Sequence, residues 1–304
     1  MRFKERLFQF FTAFSSFFVL GIISCIFGIL VYSSWPTITK IGFFRFITST
    51  DWNPVTERFG ALSSIYGTFV TTIIALSLAI PASIGIAIFS TEIAPPFIRK
   101  PLTIAIELLA AIPSIIYGMW GFFTLSVIMA LYVEPFLQNI TSHIPVLRAL
   151  FQGTIRGIDI LTASVILSIM IIPFAASTAK DGFELTPSSL REAAYAIGCT
   201  RWEVIKNVVL RHSRTAIFGG ILLSLGRALG ETMAVTFVLG NDHRITPSLL
   251  SGASTITVTL ANEFSEASTE LYISSLCCLA LVLFVISALI RACAHYMLPK
   301  EKER

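Results

Sequence analysis

Residues 65–90 read IYGTFVTTIIALSLAIPASIGIAIFS, 26 positions without one charged side chain. About 20 apolar residues in a helix cross the hydrocarbon core of a bilayer. Pro81 inside the run does not disqualify it, because membrane helices tolerate proline where neighbouring groups satisfy the freed carbonyl. Five further runs of this kind flank it, at about 13–34, 102–133, 158–179, 215–240 and 271–298. The chain of 304 residues is 55% hydrophobic and only 13% charged, where a soluble domain carries about 25% charge. The sequence therefore predicts an all-α, polytopic membrane protein of about six transmembrane helices, a single membrane domain over residues 1–304, with membrane lipid as its first partner.

Two runs need comment. The third, about 32 residues, is interrupted by Pro113 and several glycines and is expected to tilt, kink or continue as an amphipathic piece. Residues 134–157, with Pro135, Pro145, Arg148 and Arg156, read as an extramembrane stretch with one interfacial helix. Arg2, Lys4 and Arg6 precede the first run as in a signal peptide, but Ala13 to Tyr32 is longer than the 7–15 residues of such a core and no small-x-small site follows, so a retained helix is expected.

Lysine and arginine set the orientation. With the N-terminus inside, fifteen of the 22 fall in inner segments, six in outer ones, and Arg227 lies within a span. The excess predicts both termini in the cytoplasm. Trp35 and Trp52, in the outer stretch 35–64, suit the water–lipid boundary.

Several function classes drop out. No basic face interleaves with aromatics, so no nucleic acid is expected despite the net charge of +4. The five cysteines read as small buried hydrophobes, not a disulfide framework. His143, His212, His243 and His295 are scattered, so no metal site is expected. No His/Cys/Asp cluster or nucleophile motif supports a membrane-embedded enzyme, and no catalytic residue is assigned. Glu107, near the start of the third run, reads as a carboxylate favoured by a helix N-terminus.

The longest inner segment, residues 180–214, reads as two short helices. Thr186 suits an N-cap with Pro187 at the first helical position, and Gly198 suits a left-handed C-terminal residue. Thr200 opens the second helix, and Glu203 completes a capping box. Trp202, Ile205, Val208 and Val209 give it an apolar face. Such an edge either docks a partner or packs on the protein's own membrane helices.

Within the fifth run, Gly226-Arg227-Ala228-Leu229-Gly230-Glu231-Thr232-Met233-Ala234-Val235 places two charges four residues apart, on one face if the helix is continuous. A charge at mid-membrane costs about 2.5–3.5 kcal/mol on insertion scales and marks a substrate or ion path, or a structural ion pair. The guanidinium fork of Arg227 suits an oxyanion, with Glu231 orienting it, and Gly226 and Gly230 admit a close neighbour.

These motifs carry a resemblance. Glu192-Ala193-Ala194, three residues, Gly198, nine residues, then Val208-x-Leu210 resembles the EAA motif of ABC importer permeases, E-A-A-x3-G-x9-I-x-L-P, with Val208 for Ile and Arg211 for the final Pro. Gly226 to Val235, and Glu107-Leu-Leu-Ala-Ala-Ile-Pro-Ser-Ile-Ile-Tyr-Gly118, resemble the Pst phosphate permeases of the C type. The resemblance covers nearly the whole chain. It implies the type I importer permease fold in a bacterial cytoplasmic (inner) membrane, a substrate path at Arg227 and Glu231, and ATPase coupling through Glu192, Ala193, Ala194, Gly198, Arg201 and Trp202. It also implies a second permease of the PstA type as heterodimer partner, an ATPase dimer, and an external phosphate-binding protein. No G-x-x-x-x-G-K-[ST] loop occurs, so ATP and Mg belong to the separate ATPase chain and no cofactor to this one. The alternatives are a permease for another oxyanion, such as phosphonate, sulfate or molybdate, and a stand-alone ion-coupled secondary transporter.

Overall fold

The computed structural model describes residues 2–297; Lys300, Lys302 and Arg304, counted above as inner charges, and residue 298 of the last run lie outside the described residues. All regular elements among the described residues are helices. They are α1 (Arg2–Lys40), α2 (Phe43–Thr48), α3 (Leu62–Ile93), α4 (Pro96–Ala111), α5 (Ser114–Thr141), α6 (Pro145–Phe151) and α7 (Ile160–Glu184). There follow α8 (Ser188–Ala196), α9 (Arg201–His212), α10 (Arg214–Leu229), α11 (Met233–Thr236), α12 (Ile256–Glu263) and α13 (Glu270–Met297). Five are long and apolar enough to cross a membrane: Leu7–Lys40 of α1, α3, α5, α7, and Glu270–Cys293 of α13. A sixth arises if α9 and α10, bent by 68° at their junction, count as one.

The chain divides into two compact units, residues 1–62 with 260–286, and residues 63–259 with the chain from 287. In the first, α1 meets α13 through small polar residues. The Thr37 hydroxyl donates to Ser274 Oγ at 2.8 Å and lies 3.1 Å from Ser275 Oγ, and all three are buried. Such residues let membrane helices approach closely and bond across. Trp35 is exposed, and the indole N–H of Trp52 donates to Glu263 Oε2 at 2.5 Å, which also accepts from the Tyr272 hydroxyl at 2.8 Å. Phe59 lies between them, edge-on to Trp52 and stacked on Tyr272.

In the second unit, α7 is the central helix. Its Ile166, Leu167, Met170 and Ile171 are buried against Ala75 and Ala79 of α3, Tyr117 of α5 and Ala228 of α10. Glycine sets the closeness of α7 to α10: a Cβ at Gly182 would stand 2.3 Å from Ala216 Cβ.

Three expectations are corrected. The third run is two helices: α4 ends at Ala111, Ile112 and Pro113 are extended, and α5 restarts at Ser114. A proline removes a helical N–H and forces its predecessor out of the helical region. Residues 134–141, expected within an extramembrane stretch, are the last turns of α5, while α6 is the short helix expected in that stretch. The π turn Met129–Val133 ends just before Glu134-Pro135 and absorbs the missing donor. The fifth run is not one helix to residue 240. α10 ends at Leu229 after 16 residues, Gly230 leaves the helix, and only the single turn α11 follows before Gly240 reverses the chain at φ +85.

Candidate translocation path and coupling surface

Because α10 stops at Leu229, Arg227 and Glu231 do not share a helix face, and among the described residues no ion pair joins them. Arg227 sits in the last turn of α10, where the helix dipole favours a cation. Its side chain is exposed, with its guanidinium over the Phe174 ring at 5.3 Å. That contact is worth about 0.5–2 kcal/mol and leaves the guanidinium fork free to bind an anion. Glu231 is buried and turned elsewhere. Its Oε1 accepts from the Ala234 N–H at 3.1 Å, bracing α11, while its backbone carbonyl accepts from Thr257 Oγ1 at 2.7 Å. Glu231 therefore shapes the break after α10 instead of neutralising Arg227.

A second cation reaches this place that the sequence did not single out. The Arg291 guanidinium of α13 lies over Gly226, its Nη2 3.4 Å from where a Cβ there would stand. The two residues stand 65 positions apart, and no local pattern in the sequence would have joined them. Glu107 is exposed in the closing turns of α4, not at a helix start, so the helix-dipole explanation for its carboxylate does not hold.

Residues 180–214 form the expected helix–turn–helix. α8 runs Ser188–Ala196, and Gly198 takes φ +89 while its N–H bonds to Tyr195 O and that of Cys199 to Ala194 O. This is the left-handed closure that glycine permits without a steric penalty. Thr200 and Glu203 form the reciprocal capping box, whose hydrogen bonds to the Glu203 carboxylate hold its pKa below the ordinary value. Thr186 does not cap α8. It is buried, with its hydroxyl 3.2 Å from Ser213 Oγ, and α8 starts after Pro187.

One face of the apolar edge packs on the protein's own helices, and the other is left exposed. Ile205 and Val209 are buried with Phe183, Ala179 and Ala87 under the loop. Tyr195, Ile197 and Trp202 are exposed, Ile197 at 82% and Trp202 at 61%. Glu192, Ala193, Gly198 and Arg201 are exposed beside them, and Ala194 is buried. Arg191, also unmarked by the sequence, fixes this surface to the membrane helices. It pairs with Glu92 Oε1 at 2.9 Å and donates to Phe183 O at 2.8 Å and Thr186 O at 2.9 Å. Arg201 donates to the Glu92 carbonyl as well, so Glu92 at the end of α3 holds one arginine from each side of the turn.

Residues 79–300 match the family model described as "Binding-protein-dependent transport system inner membrane component". The "Phosphate transport system permease protein PstC" of Mesorhizobium japonicum is 54% identical over 269 residues, 88% of this chain and 82% of that protein. The protein of the same description from Pasteurella multocida is 44% identical over 99% of this chain and 93% of its own length. Among solved structures, an inward-facing MetNI methionine ABC transporter chain superposes with a TM-score of 0.57 at 15% identity, covering 77% of this chain and 93% of its own, a likeness of fold alone. The chain thus belongs to the binding-protein-dependent transport system inner membrane components and, among them, to the PstC phosphate transport system permease proteins.

Proposed function

We propose that this chain is the translocating permease subunit of an ATP-driven importer that carries inorganic phosphate into the cytoplasm. The observation that carries the reading is Arg227, an exposed arginine without an ion-pair partner among the described residues, set where α10 breaks off part-way through its apolar run. A cation left unneutralised in that setting is costly, and a passing oxyanion offsets the cost. Arg291 brings a second guanidinium within reach of the same turn. Glu231 holds the break in shape and does not compete with the anion.

The exposed edge of Glu192, Ala193, Tyr195, Ile197 and Trp202 is the docking surface for the ATPase, with Gly198 and Arg201 fixing its shape. The ATPase carries ATP and Mg; this subunit catalyses no reaction. A second permease completes the path as a heterodimer, an external binding protein delivers phosphate, and both termini lie in the cytoplasm. A stand-alone carrier has no use for a rigid, inner docking edge of this kind.

Labelled phosphate uptake tests the reading, in cells lacking their own high-affinity system, with this chain co-expressed with its neighbouring permease, ATPase and binding protein. ATP-dependent uptake in which phosphate outcompetes sulfate supports it. Uptake without the ATPase would favour a secondary transporter, and sulfate winning the competition would reassign the oxyanion.

A further inference from the structure

The second unit holds two fully buried carboxyl groups that the path does not use. Glu134 lies in α5 and Asp159 precedes α7, and neither side chain reaches solvent. Asp159 Oδ1 caps α7 by accepting the Thr162 N–H at 2.8 Å. Glu134 Oε2 accepts the Arg156 N–H at 3.2 Å. Gly157 presses the intervening loop onto α5: at φ +68, a Cβ there would fall 2.0 Å from Ser126 O. One oxygen of each group is left over, Glu134 Oε1 and Asp159 Oδ2, and neither meets an N–H or O–H donor. Glu134 Oε2 is held at the N–H of Arg156, three residues before Asp159, so the loop that Gly157 presses onto α5 brings the two buried carboxyls together.

Two carboxylates offer each other only lone pairs, so that contact is repulsive unless one group carries a proton. A single proton satisfies both orphaned oxygens at once, and a buried oxygen left unsatisfied is otherwise destabilising. We propose that Glu134 and Asp159 form a proton-binding site, in which Glu134 Oε1–H donates to Asp159 Oδ2. The assignment of roles follows from the cap. Asp159 faces the positive end of α7, which stabilises an anion, whereas Glu134 has only the loop N–H groups. Burial pushes the Asp159 carboxyl up, and the N–H groups of Thr162 and Leu161 together with Glu134 pull it back.

Among the described residues no cationic side chain forms an ion pair with either carboxyl. Arg156 meets Glu134 through its backbone N–H and its side chain is exposed; Arg148 lines a separate pocket with Gln138 and Thr141. Residues 248–251, whose carbonyls receive the first N–H groups of α7, contribute serine and leucine alone. The proton thus ties the end of α5 to the start of α7. Its loss to water leaves two adjacent buried anions and parts the helices. The unfolded chain releases this proton within the ordinary carboxyl range whereas the folded pair keeps it above that range, so the tie is fully present at low pH and is lost as pH rises through the folded pair's higher value.

The proton is read directly by infrared spectroscopy of the assembled transporter in lipid, comparing wild type with Glu134→Gln from about pH 6 to about pH 9, well above the ordinary carboxyl range. A protonated-carboxyl C=O stretch that shifts in heavy water, fades as pH rises, and is missing from Glu134→Gln at every pH is expected. The melting temperature of the wild type should fall relative to that of Glu134→Gln over the same range, because the amide donates at any pH. Should Glu134→Gln fail to assemble, Asp159→Asn, which keeps a capping oxygen, is read for loss of the same band. Identical spectra for wild type and variant overturn the proposal. So does a missing band together with a wild-type melting temperature that rises on adding sodium or magnesium, which would make the site a cation site.

Discussion

Arg227 and Arg191 are both arginines with apolar surroundings, yet their partners separate their roles. Arg191 is held at both Nη atoms by Glu92, Phe183 and Thr186, so it holds structure. Among the described residues Arg227 meets the Phe174 ring and no hydrogen-bond acceptor, so its donors remain for a ligand. Arg227→Gln should therefore reduce phosphate uptake by at least tenfold while the complex still assembles, checked by uptake beside co-purification of the partners. Lost assembly would mean that the guanidinium holds helices together instead. Arg227→Lys keeps the charge but loses the bidentate fork, and should retain only part of the uptake. Arg191→Ala should act differently. Removing it leaves the Glu92 carboxylate half-buried without its partner and frees two carbonyls, costing about 2–4 kcal/mol of local stability. Basal uptake should fall together with ATPase association, and proteolysis within residues 185–200 should accelerate. Normal association would show that the docking edge needs no such anchor.

Elements differ in how much they betray in one dimension. The turn between α8 and α9 was legible because its signals are local: Gly198 takes the left-handed conformation, and Thr200 and Glu203 close the capping box as their spacing requires. Gly198→Val places a β-branched residue at φ +89, at a cost of about 1–3 kcal/mol, and should lower the ratio of uptake to ATP hydrolysis before it affects assembly. Unchanged coupling would show that the turn is not the lever. The break of the third run at Pro113 was legible as an interruption, though not as a separate helix. The early end of α10 was not legible. Gly230 and Glu231 are tolerated in a helix, and what ends it is tertiary: Glu231 bracing α11 and Thr257 taking its carbonyl. Long-range pairs were hidden for the same reason. Glu92 and Arg191 are 99 residues apart, and Arg291 meets Gly226 only through the packing of α13.

The whole molecule must face one way for any of this to serve import, since ATP is available only inside the cell. The charge count places the stretch around Val55 outside and the α8–α9 edge inside. Each offers a well-exposed probe, Val55 at 92% and Ile197 at 82%. With the five native cysteines replaced, Val55→Cys in intact spheroplasts should react with a membrane-impermeant maleimide and Ile197→Cys should not. In inverted vesicles the pattern should reverse, and bound ATPase should protect Ile197→Cys. Protection is the sharper half of the test, because orientation alone could be right for a carrier that docks nothing. If Ile197→Cys were labelled from outside, the arginine lock between Glu92, Arg191 and Arg201 would stand as structure. The ATPase would then have no surface to hold, and the import mechanism would fall with it.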